Sequence, residues 1–248
     1  MEHPLTRGLS VDDPRTTQLR REIIQSKPFL RCIYQEWYGK IFAATKDLRG
    51  DILELGSGAG FIKELKPRVI TSEILEFDGV DIVADACNLP FDDASLDAIV
   101  MTDVLHHIPD VKLFLKESER VLQSGGRIVM IEPWNTRWSK WVYQNLHPEP
   151  FIPDATSWKI PASGPLSGAN GALPWILCER DKALFQLRFP SLKIMEIEPM
   201  MPFSYLLSGG VSMRALIPGF AYKVIRSIEK LFNQKSWAMF AFIVVERA

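Results

Sequence analysis

The sequence lacks several features that mark particular classes of protein. Its 248 residues include three cysteines, Cys32, Cys87 and Cys178, which lie far apart and form no CxxC pair. An odd, scattered set of cysteines argues against a disulfide framework or a zinc site and is typical of a reducing compartment, so we expect a cytoplasmic protein. An excess of one charge is also lacking, since 29 Lys and Arg oppose 30 Asp and Glu. No nucleic-acid partner is therefore predicted.

Long apolar runs are missing as well. The longest, 237–245, is about half of the roughly 20 residues that cross a bilayer, so no membrane-spanning segment is predicted. The polar start of the chain, 1–14, lacks the apolar stretch of a signal peptide. With 47% apolar and 24% charged residues, the composition is that of a globular protein with a sizeable core.

The pattern that is present alternates strands and helices. Apolar positions three to four residues apart over 16–45 predict two helices, the second starting at Pro28. Apolar runs predict seven strands, at 51–55, 69–74, 80–84, 96–101, 127–131, 192–198 and 237–246. Further helices are predicted over 111–122, stopped by Gly125-Gly126, over 174–189 and over 219–233. This alternation predicts an α/β fold, a mostly parallel seven-stranded sheet flanked by helices.

A glycine-rich loop follows the first strand. The sequence Gly56-Ser57-Gly58-Ala59-Gly60 allows a sharp turn, a close approach of the backbone to a ligand, and helix N-terminal amides that point at it. A dinucleotide fingerprint needs Gly or Ala three positions after the second glycine, where this chain has Phe61. A phosphate-binding Walker loop would end in Gly-Lys-Ser/Thr, which is absent. The loop therefore favours a ligand without a pyrophosphate.

Five motifs between about 51 and 133 together resemble the class I S-adenosylmethionine-dependent methyltransferases, in particular the methyltransferase type 11 group that is similar to ubiquinone/menaquinone-type enzymes. The first motif is Glu54 to Gly60, and the second is Glu73, near the end of the second strand. The third is Asp85-Ala86 followed by Leu89-Pro90-Phe91, and the fourth is 96–100, which continues into Val104 to Ile108. The fifth is 122–133, which ends in Ile131-Glu132-Pro133. The resemblance implies a Rossmann-like fold and an enzyme that transfers a methyl group from S-adenosyl-L-methionine, leaving S-adenosyl-L-homocysteine.

The resemblance also implies which residues contact the cofactor. These are Glu54, Gly56, Ser57, Gly58, Gly60, Glu73, Ile74, Asp85, Ala86 and Thr102. Glu54 and the glycine loop would face the amino-acid end, and Asp85 would accept a hydrogen bond from the adenine amino group. Glu73 follows Glu54 by 19 residues, a spacing typical of an acid that binds ribose hydroxyls. Only about six residues separate strands two and three, so Glu76 and Asp78 are alternatives for the ribose contact.

The catalytic residue is less well defined. A general base is needed only if the acceptor is a hydroxyl or a protonated amine, and the candidates are Asp103, His107 and His147. Each has a structural alternative: Asp103 as a cap, the pair His106-His107 as part of a turn, and His147 with Glu149 as solvated loop residues. Glu132 is either a site residue or the plain end of a strand. No metal is predicted, because no compact set of ligands is visible.

The remaining parts of the chain are predicted to select the acceptor. We expect one domain over 1–248, with a helical cap (1–45), a cofactor-binding core (46–133), an insertion (134–190) and C-terminal strands and helices (191–248). The cap and the insertion should cover the carboxyl edge of the sheet, where open α/β sheets bind ligands. The acceptor is expected to be a small molecule, a glycan or a lipid-linked compound.

The segment 211–236, which contains the helix predicted over 219–233, has five basic residues and one acid. Phe220, Val224, Ile228, Leu231 and Phe232 share one face, and Lys223, Arg226 and Lys230 share the other. This helix either packs on the sheet or contacts a membrane surface.

Two other functions remain as alternatives. The chain could keep the fold as an inactive binding or scaffold module, or it could be a nicotinamide-dependent oxidoreductase, which Phe61 disfavours.

Overall fold

The structure is a computed structural model, and it describes residues 13–76, 78–161, 164 and 168–248. The absence of a signal peptide was predicted from the polar start of the chain, most of which lies outside the described residues. Part of the Pro- and Gly-rich stretch of the insertion also lies outside them. Within the described residues, no helix is both long and apolar enough to cross a membrane.

A seven-stranded sheet forms the centre of the fold. Its strands are β1 (Asp51–Leu55), β2 (Ile70–Glu73), β3 (Ile82–Val83), β4 (Leu96–Thr102), β5 (Leu122–Pro133), β6 (Leu192–Met200) and β7 (Phe240–Arg247), in the order β3-β2-β1-β4-β5-β7-β6. The first five strands are parallel, and β7 runs antiparallel to both β5 and β6. The predicted mostly parallel sheet is confirmed.

Helices cover both faces of the sheet and bury its central strands. They are α1 (Pro14–Ser26), α2 (Pro28–Ala44), α3 (Ile62–Leu65), α4 (Val111–Val121), α5 (Arg137–Leu146), α6 (Leu173–Trp175), α7 (Lys182–Arg188), α8 (Ser204–Ser208), α9 (Tyr222–Glu229) and α10 (Gln234–Trp237). The side chains of Leu53, Val100 and Val129 on β1, β4 and β5 are fully buried. Strands that are apolar on both faces need such helical cover.

Helix α2 joins the N-terminal cap to the C-terminal part of the sheet. As predicted, it begins at Pro28, whose fixed backbone suits a first helical turn. Its Trp37 is fully buried between Tyr205 and Phe240, and the indole nitrogen lies 3.2 Å from the sulfur of Met201. One aromatic side chain thus connects α2, α8 and β7.

Two predicted boundaries are wrong for local reasons. Strand β5 starts at Leu122, directly after α4, so Gly125 and Gly126 lie inside a strand and do not stop the helix. Gly125 has φ +79°, a conformation that favours glycine, and the pairing of β4 with β5 slips nearby. Strand β7 starts at Phe240, because the residues before it form α10, capped by the side chain of Asn233.

The insertion after β5 is fixed against the loop that follows β4. Lys159 forms an isolated β-bridge with Asp110, and the Ile160 N–H donates to the carbonyl of Pro109 at 2.9 Å. The Asn170 N–H donates to the carbonyl of His106 at 2.9 Å. The helix predicted over 174–189 is replaced by α6, a π-helical turn (Ile176–Arg180) and α7.

Helix α9 is shorter than predicted, and its faces are arranged differently. A 3₁₀ turn (Gly219–Ala221) precedes it, and the regular helix ends at Glu229. Arg226, predicted on the solvent face, turns inward, where its guanidinium pairs with Glu36 at 2.5 Å and also with the buried Glu229. The apolar side chains of Phe220 and Val224 therefore point outward and are exposed.

Strand β6 forms one edge of the sheet and is irregular. Its pairing with β7 slips between Ile194 and Glu196, which leaves Met195 as an extra, exposed residue. Lys193 and Glu198 are exposed on the same strand, and Pro199 lies near its end.

Truncation of Trp37 tests whether α2 is part of the folded core. We expect Trp37→Ala to lower the free energy of unfolding by about 3–5 kcal/mol, because it leaves a cavity among α2, α8 and β7. Leu187→Ala, at a side chain that is 78% exposed, should cost less than about 0.5 kcal/mol. Equilibrium urea denaturation measures both. Equal, small losses would show that α2 is not part of the folded core.

Candidate active site

The first cavity lies at the carboxyl ends of β1, β2 and β4, and we call it the glycine-loop cavity. It is lined by Thr17, Arg20, Tyr34, Tyr38, Glu54, Leu55, Gly56, Ser57, Ala59, Gly60, Glu73, Ile74, Ala84, Asp85, Ala86, Thr102, Asp103, Val104, His107, Ile108, Pro109, Glu149 and Val211. Of the ten residues predicted to contact a cofactor, nine line this cavity. The tenth, Gly58, is not a lining residue.

Glu54 places a buried carboxylate in this cavity. Its Oε2 atom is buried and has no hydrogen-bond partner among the described residues. Burial raises the pKa of this carboxyl to about 7, although Ser57 and Arg21 act in the opposite direction. A buried polar atom without a partner is costly, so a ligand that donates a hydrogen bond here would be stabilised.

Glu73 links the glycine loop to the end of β2. One carboxylate oxygen accepts from the Gly58 N–H at 3.2 Å, and the other accepts from the Ile74 N–H at 2.9 Å. A Cβ on Gly58 would lie 2.6 Å from the carboxylate, which explains why glycine is needed there. Burial raises the pKa of Glu73. The alternatives Glu76 and Asp78 are exposed and are not lining residues.

Asp85 and Thr102 border the cavity from other strand ends. Asp85 Oδ1 accepts from the Cys87 N–H at 2.8 Å in a turn, and its carboxylate is otherwise open to solvent. Thr102 Oγ1 is a second buried polar atom without a partner among the described residues. The hydroxyl of Ser57 is engaged within the fold, since it donates to the carbonyl of Glu54 at 3.2 Å.

A second cavity adjoins the first on the side of the insertion. Its apolar wall includes Val142, Tyr143, Phe151 and Phe240. The residues that line both cavities are Arg20, Asp103, His107, Glu149 and Val211, so the two spaces meet at these side chains. The same wall continues through Gly209, Gly210, Ser212 and Met213.

Asp103 lies where the two cavities meet. Its φ of +64° is unusual for a residue other than glycine, although Asp tolerates this region better than most. The Asp103 N–H donates to the carbonyl of Ile131 on β5 at 2.8 Å, which holds the turn in place. Burial raises the pKa of Asp103 to about 7, with Glu132 and Glu149 adding to the effect and His106 opposing it.

Glu132 organises the turn after β4 from the end of β5. Its side chain is fully buried, and one oxygen accepts from the N–H groups of Val104 and Leu105 at 2.8 and 2.7 Å. The other oxygen lies 2.8 Å from Nδ1 of His106. Burial disfavours a charged His106, but Glu132 and Glu149 outweigh it and hold the pKa of this imidazole well above its usual range.

The other two histidines differ in their partners. His107 Nδ1 lies 3.0 Å from the carbonyl of Gly168, and burial together with the charge of His106 lowers the His107 pKa to about 4. His147 lines the second cavity, and its Nδ1 accepts from the Glu149 N–H at 3.3 Å. Burial opposes ionisation of Glu149, but the neighbouring histidines, above all His106, hold its pKa well below the usual range.

Sequence reasoning placed the N-terminal cap over the carboxyl edge of the sheet, but it did not identify which side chains of the cap line the first cavity, or that Glu149 lines it. Thr17 and Arg20 reach it from α1, and Tyr34 and Tyr38 reach it from α2. Tyr34 and Tyr38 are buried in the core and also line the cavity. No local signal marks Arg20, because its position depends on how α1 packs over the sheet. The fold also assembles potential metal ligands from distant segments, which no spacing in the sequence reveals.

Comparisons with known proteins agree with this geometry. A family model described as a methyltransferase domain matches residues 59–130. A demethylmenaquinone methyltransferase of Thermotoga maritima is 36% identical over 104 residues, which cover 35% of this chain and 45% of the relative. A ubiquinone/menaquinone biosynthesis C-methyltransferase of Bartonella tribocorum is 30% identical over 101 residues, 38% of this chain and 35% of the relative. The chain thus spans less than half the length of these relatives.

Solved structures share the fold at low identity. Geranyl diphosphate C-methyltransferase from Streptomyces coelicolor, in complex with Mg²⁺, geranyl diphosphate and S-adenosyl-L-homocysteine, gives a TM-score of 0.52 at 11% identity and covers 98% of this chain and 87% of its own. A possible histamine N-methyltransferase from Thermotoga maritima also gives 0.52, at 14% identity, over 93% and 99% of the two chains. The sheet order, the glycine loop and the family match over residues 59–130 together support a class I S-adenosylmethionine-dependent methyltransferase.

Proposed function

We propose that the chain binds S-adenosylmethionine in the glycine-loop cavity and transfers its methyl group to an acceptor in the second cavity. The observation that carries this proposal is a pair of buried polar atoms, Glu54 Oε2 and Thr102 Oγ1, which have no partner among the described residues and belong to residues that line the first cavity. A ligand with hydrogen-bonding groups at that place would satisfy both.

The residues around the cavity match the parts of this cofactor. Glu73, already fixed by two backbone N–H groups, has lone pairs left for the two ribose hydroxyls. Asp85 is open to the cavity and suits the adenine amino group. Glu54 suits the cationic amino group, and Arg20, an arginine that lines both cavities, suits the carboxylate at the same end of the cofactor.

The protein's contribution to methyl transfer is to align the acceptor. The sulfonium of the cofactor makes the methyl group electrophilic, and positioning of the nucleophile in line can lower a barrier by roughly 7–11 kcal/mol. The name of one relative gives demethylmenaquinone as that protein's acceptor, and the name of one structural neighbour gives geranyl diphosphate. The apolar wall of the second cavity suits an acceptor with an apolar body, and a glycan or lipid-linked compound remains an alternative. Asp103, His107 and His147 stay predictions for a general base.

Calorimetric titration with S-adenosylhomocysteine tests the cofactor site. The wild-type chain should bind it, and Glu73→Gln should bind at least about tenfold more weakly, because a hydrogen-bonded charged group contributes about 1.5–3 kcal/mol. Glu76→Gln is the matched control, since Glu76 is a nearby exposed acid and should leave the affinity unchanged.

The outcomes separate the competing functions. Binding together with transfer of labelled methyl groups to lipid or glycan extracts supports the enzyme. Binding without transfer to any extract favours the scaffold module. Absence of binding, with quenching of fluorescence by NADH, would favour the oxidoreductase, and an effect of Glu76→Gln in place of Glu73→Gln would overturn the ribose assignment.

Glu54 should make cofactor binding depend on pH. With its pKa at about 7, this carboxyl is mostly ionised at pH 8 and mostly protonated at pH 6. The ligand's ammonium group favours the ionised form, so affinity for S-adenosylhomocysteine should rise about tenfold from pH 6 to pH 8. Glu54→Gln should weaken binding and remove most of this rise. Asp103→Asn, which removes another cavity carboxyl with a pKa at about 7, should retain it. The opposite pattern would contradict the role of Glu54.

We further propose that the exposed face of α9 binds an anionic membrane surface. Leu216, Phe220, Val224, Ile228 and Leu231 are exposed on α9 or in the segments that flank it, with exposed fractions of 44% to 88%. Exposed basic residues, Arg214, Lys223, Lys230 and Lys235, flank this apolar patch. Apolar residues with basic neighbours are typical of helices that lie in the membrane interface.

One chain segment connects this patch to the second cavity. Residues 209–213, which line the second cavity, lead directly along the chain into the patch. On its other side, Phe232 contacts Trp237, which contacts Trp138, with ring centroids 5.5 and 5.6 Å apart. Tryptophan is enriched at membrane interfaces. A lipid-linked acceptor could then reach the cavity from the bilayer.

Vesicle sedimentation tests this membrane contact. The chain should bind vesicles that contain phosphatidylglycerol more tightly than vesicles of phosphatidylcholine alone, and less tightly at high salt. The double variant Phe220→Ser and Leu231→Ser should bind at least about tenfold more weakly, because two large apolar groups are lost. Leu187→Ser, at another exposed leucine, is the control. Equal binding by all three proteins, or no binding, would refute the proposal.

A further inference from the structure

We propose that His106, His107 and Glu149 form a binding site for a divalent metal ion of the zinc type, at the junction of the two cavities. The ligand atoms of these three residues all lie within 4.8 Å of one another. They come from two distant segments, the turn after β4 and the loop after α5, which the insertion brings together. The site goes beyond the proposed methyl transfer and does not depend on it.

His106 is oriented as a metal-binding histidine usually is. Its Nδ1 lies 2.8 Å from the buried carboxylate of Glu132, which is itself held by two backbone N–H groups. Metal-binding imidazoles commonly donate one ring N–H to a carboxylate or a carbonyl, which fixes the ring and directs the other nitrogen to the ion. The other ring nitrogen, Nε2, lies on the side of Glu149 and Asp103, and an ion bound there would displace the proton that Nε2 carries in the charged ring.

His107 has the same arrangement with a backbone partner. A carbonyl oxygen only accepts hydrogen bonds, so at 3.0 Å from the carbonyl of Gly168 the Nδ1 atom of His107 must carry the proton. In the neutral ring, Nε2 therefore has a free lone pair. This lone pair belongs to the nitrogen that lies 3.8 Å from Glu149 Oε2.

The distances suit three ligands around one ion. Glu149 Oε2 lies 3.6 Å from Nε2 of His106 and 3.8 Å from Nε2 of His107. Both distances are longer than a normal N–H···O hydrogen bond of about 2.7–3.2 Å. Two ligands about 2.0–2.1 Å from a tetrahedral ion are separated by about 3.3 Å, so a small movement would complete the site.

Two imidazole nitrogens and one carboxylate are the donor set of zinc sites that keep a position open, and related ions such as Co²⁺ accept the same donors. His107 and Glu149 line both cavities, so the open position of the ion would face them. If the proposed function holds, an acceptor oxygen that enters the second cavity can occupy that position. Asp103 Oδ1, 4.0 Å from His106 Nε2, can contact a group bound there.

Metal binding is measured with the untagged full chain after dialysis against a chelator. Titration with Zn²⁺ should give one site per chain, and Co²⁺ should give visible absorption bands of low-coordinate cobalt with nitrogen and oxygen ligands. His107→Gln and Glu149→Gln should each weaken Zn²⁺ binding at least about a hundredfold. Glu132→Gln, which removes the carboxylate that orients His106 and holds the turn after β4, should weaken it by about 10–100-fold.

Glu76→Gln is the control, because Glu76 is an exposed acid that lies outside the three-residue set. It should keep wild-type affinity for Zn²⁺. Thermal melting and S-adenosylhomocysteine binding on the same preparations show that each variant is folded, and they separate failure of this site from failure of the cofactor site. Absence of a one-to-one site in the wild type, or equal affinity in His107→Gln and Glu149→Gln, would overturn the proposal.

Discussion

The geometry of both cavities depends on one buried carboxylate, that of Glu132. A fully buried carboxylate is stable only when donors surround it, and here two backbone N–H groups and one imidazole do so. These same contacts fix the turn after β4 and direct His106 toward the loop that carries Glu149. Glu132 lines neither cavity, but its contacts determine where the residues at the junction of the two cavities lie.

The parts of the fold that the sequence predicts well are those set by local pattern. Runs that are apolar on both faces identify the central strands, and Pro28 identifies the start of a helix, because each signal depends on a few neighbouring residues. Glu54 and Glu73 could be identified as candidates from their residue type and from their spacing along one strand–loop–strand unit. Their position at the cavity wall follows from parallel strands that end at the same sheet edge.

The parts that the sequence does not predict depend on contacts between distant segments. Glu149 meets His106 only because the insertion is hydrogen-bonded to the loop after β4, and nothing near Glu149 indicates this. Arg226 turns inward because Glu36, on another helix, offers a partner. A helical pattern alone assigns an arginine to the solvent face. The start of β5 was missed because a glycine pair, read as a helix stop, is accommodated within an irregular strand.

The irregular outer strand has a consequence for the behaviour of the whole molecule. A long strand at the rim of a sheet offers unpaired amide and carbonyl groups to any other extended chain, which invites aggregation. In β6, the slip at Met195 breaks the flat repeat, Lys193 and Glu198 add charge, and Pro199 removes one donor. At the opposite rim, β3 has two residues, too few to template an added strand. Both edges of the sheet are thus protected against pairing with another chain. The protein can therefore keep the exposed apolar residues around α9 without its sheet promoting aggregation.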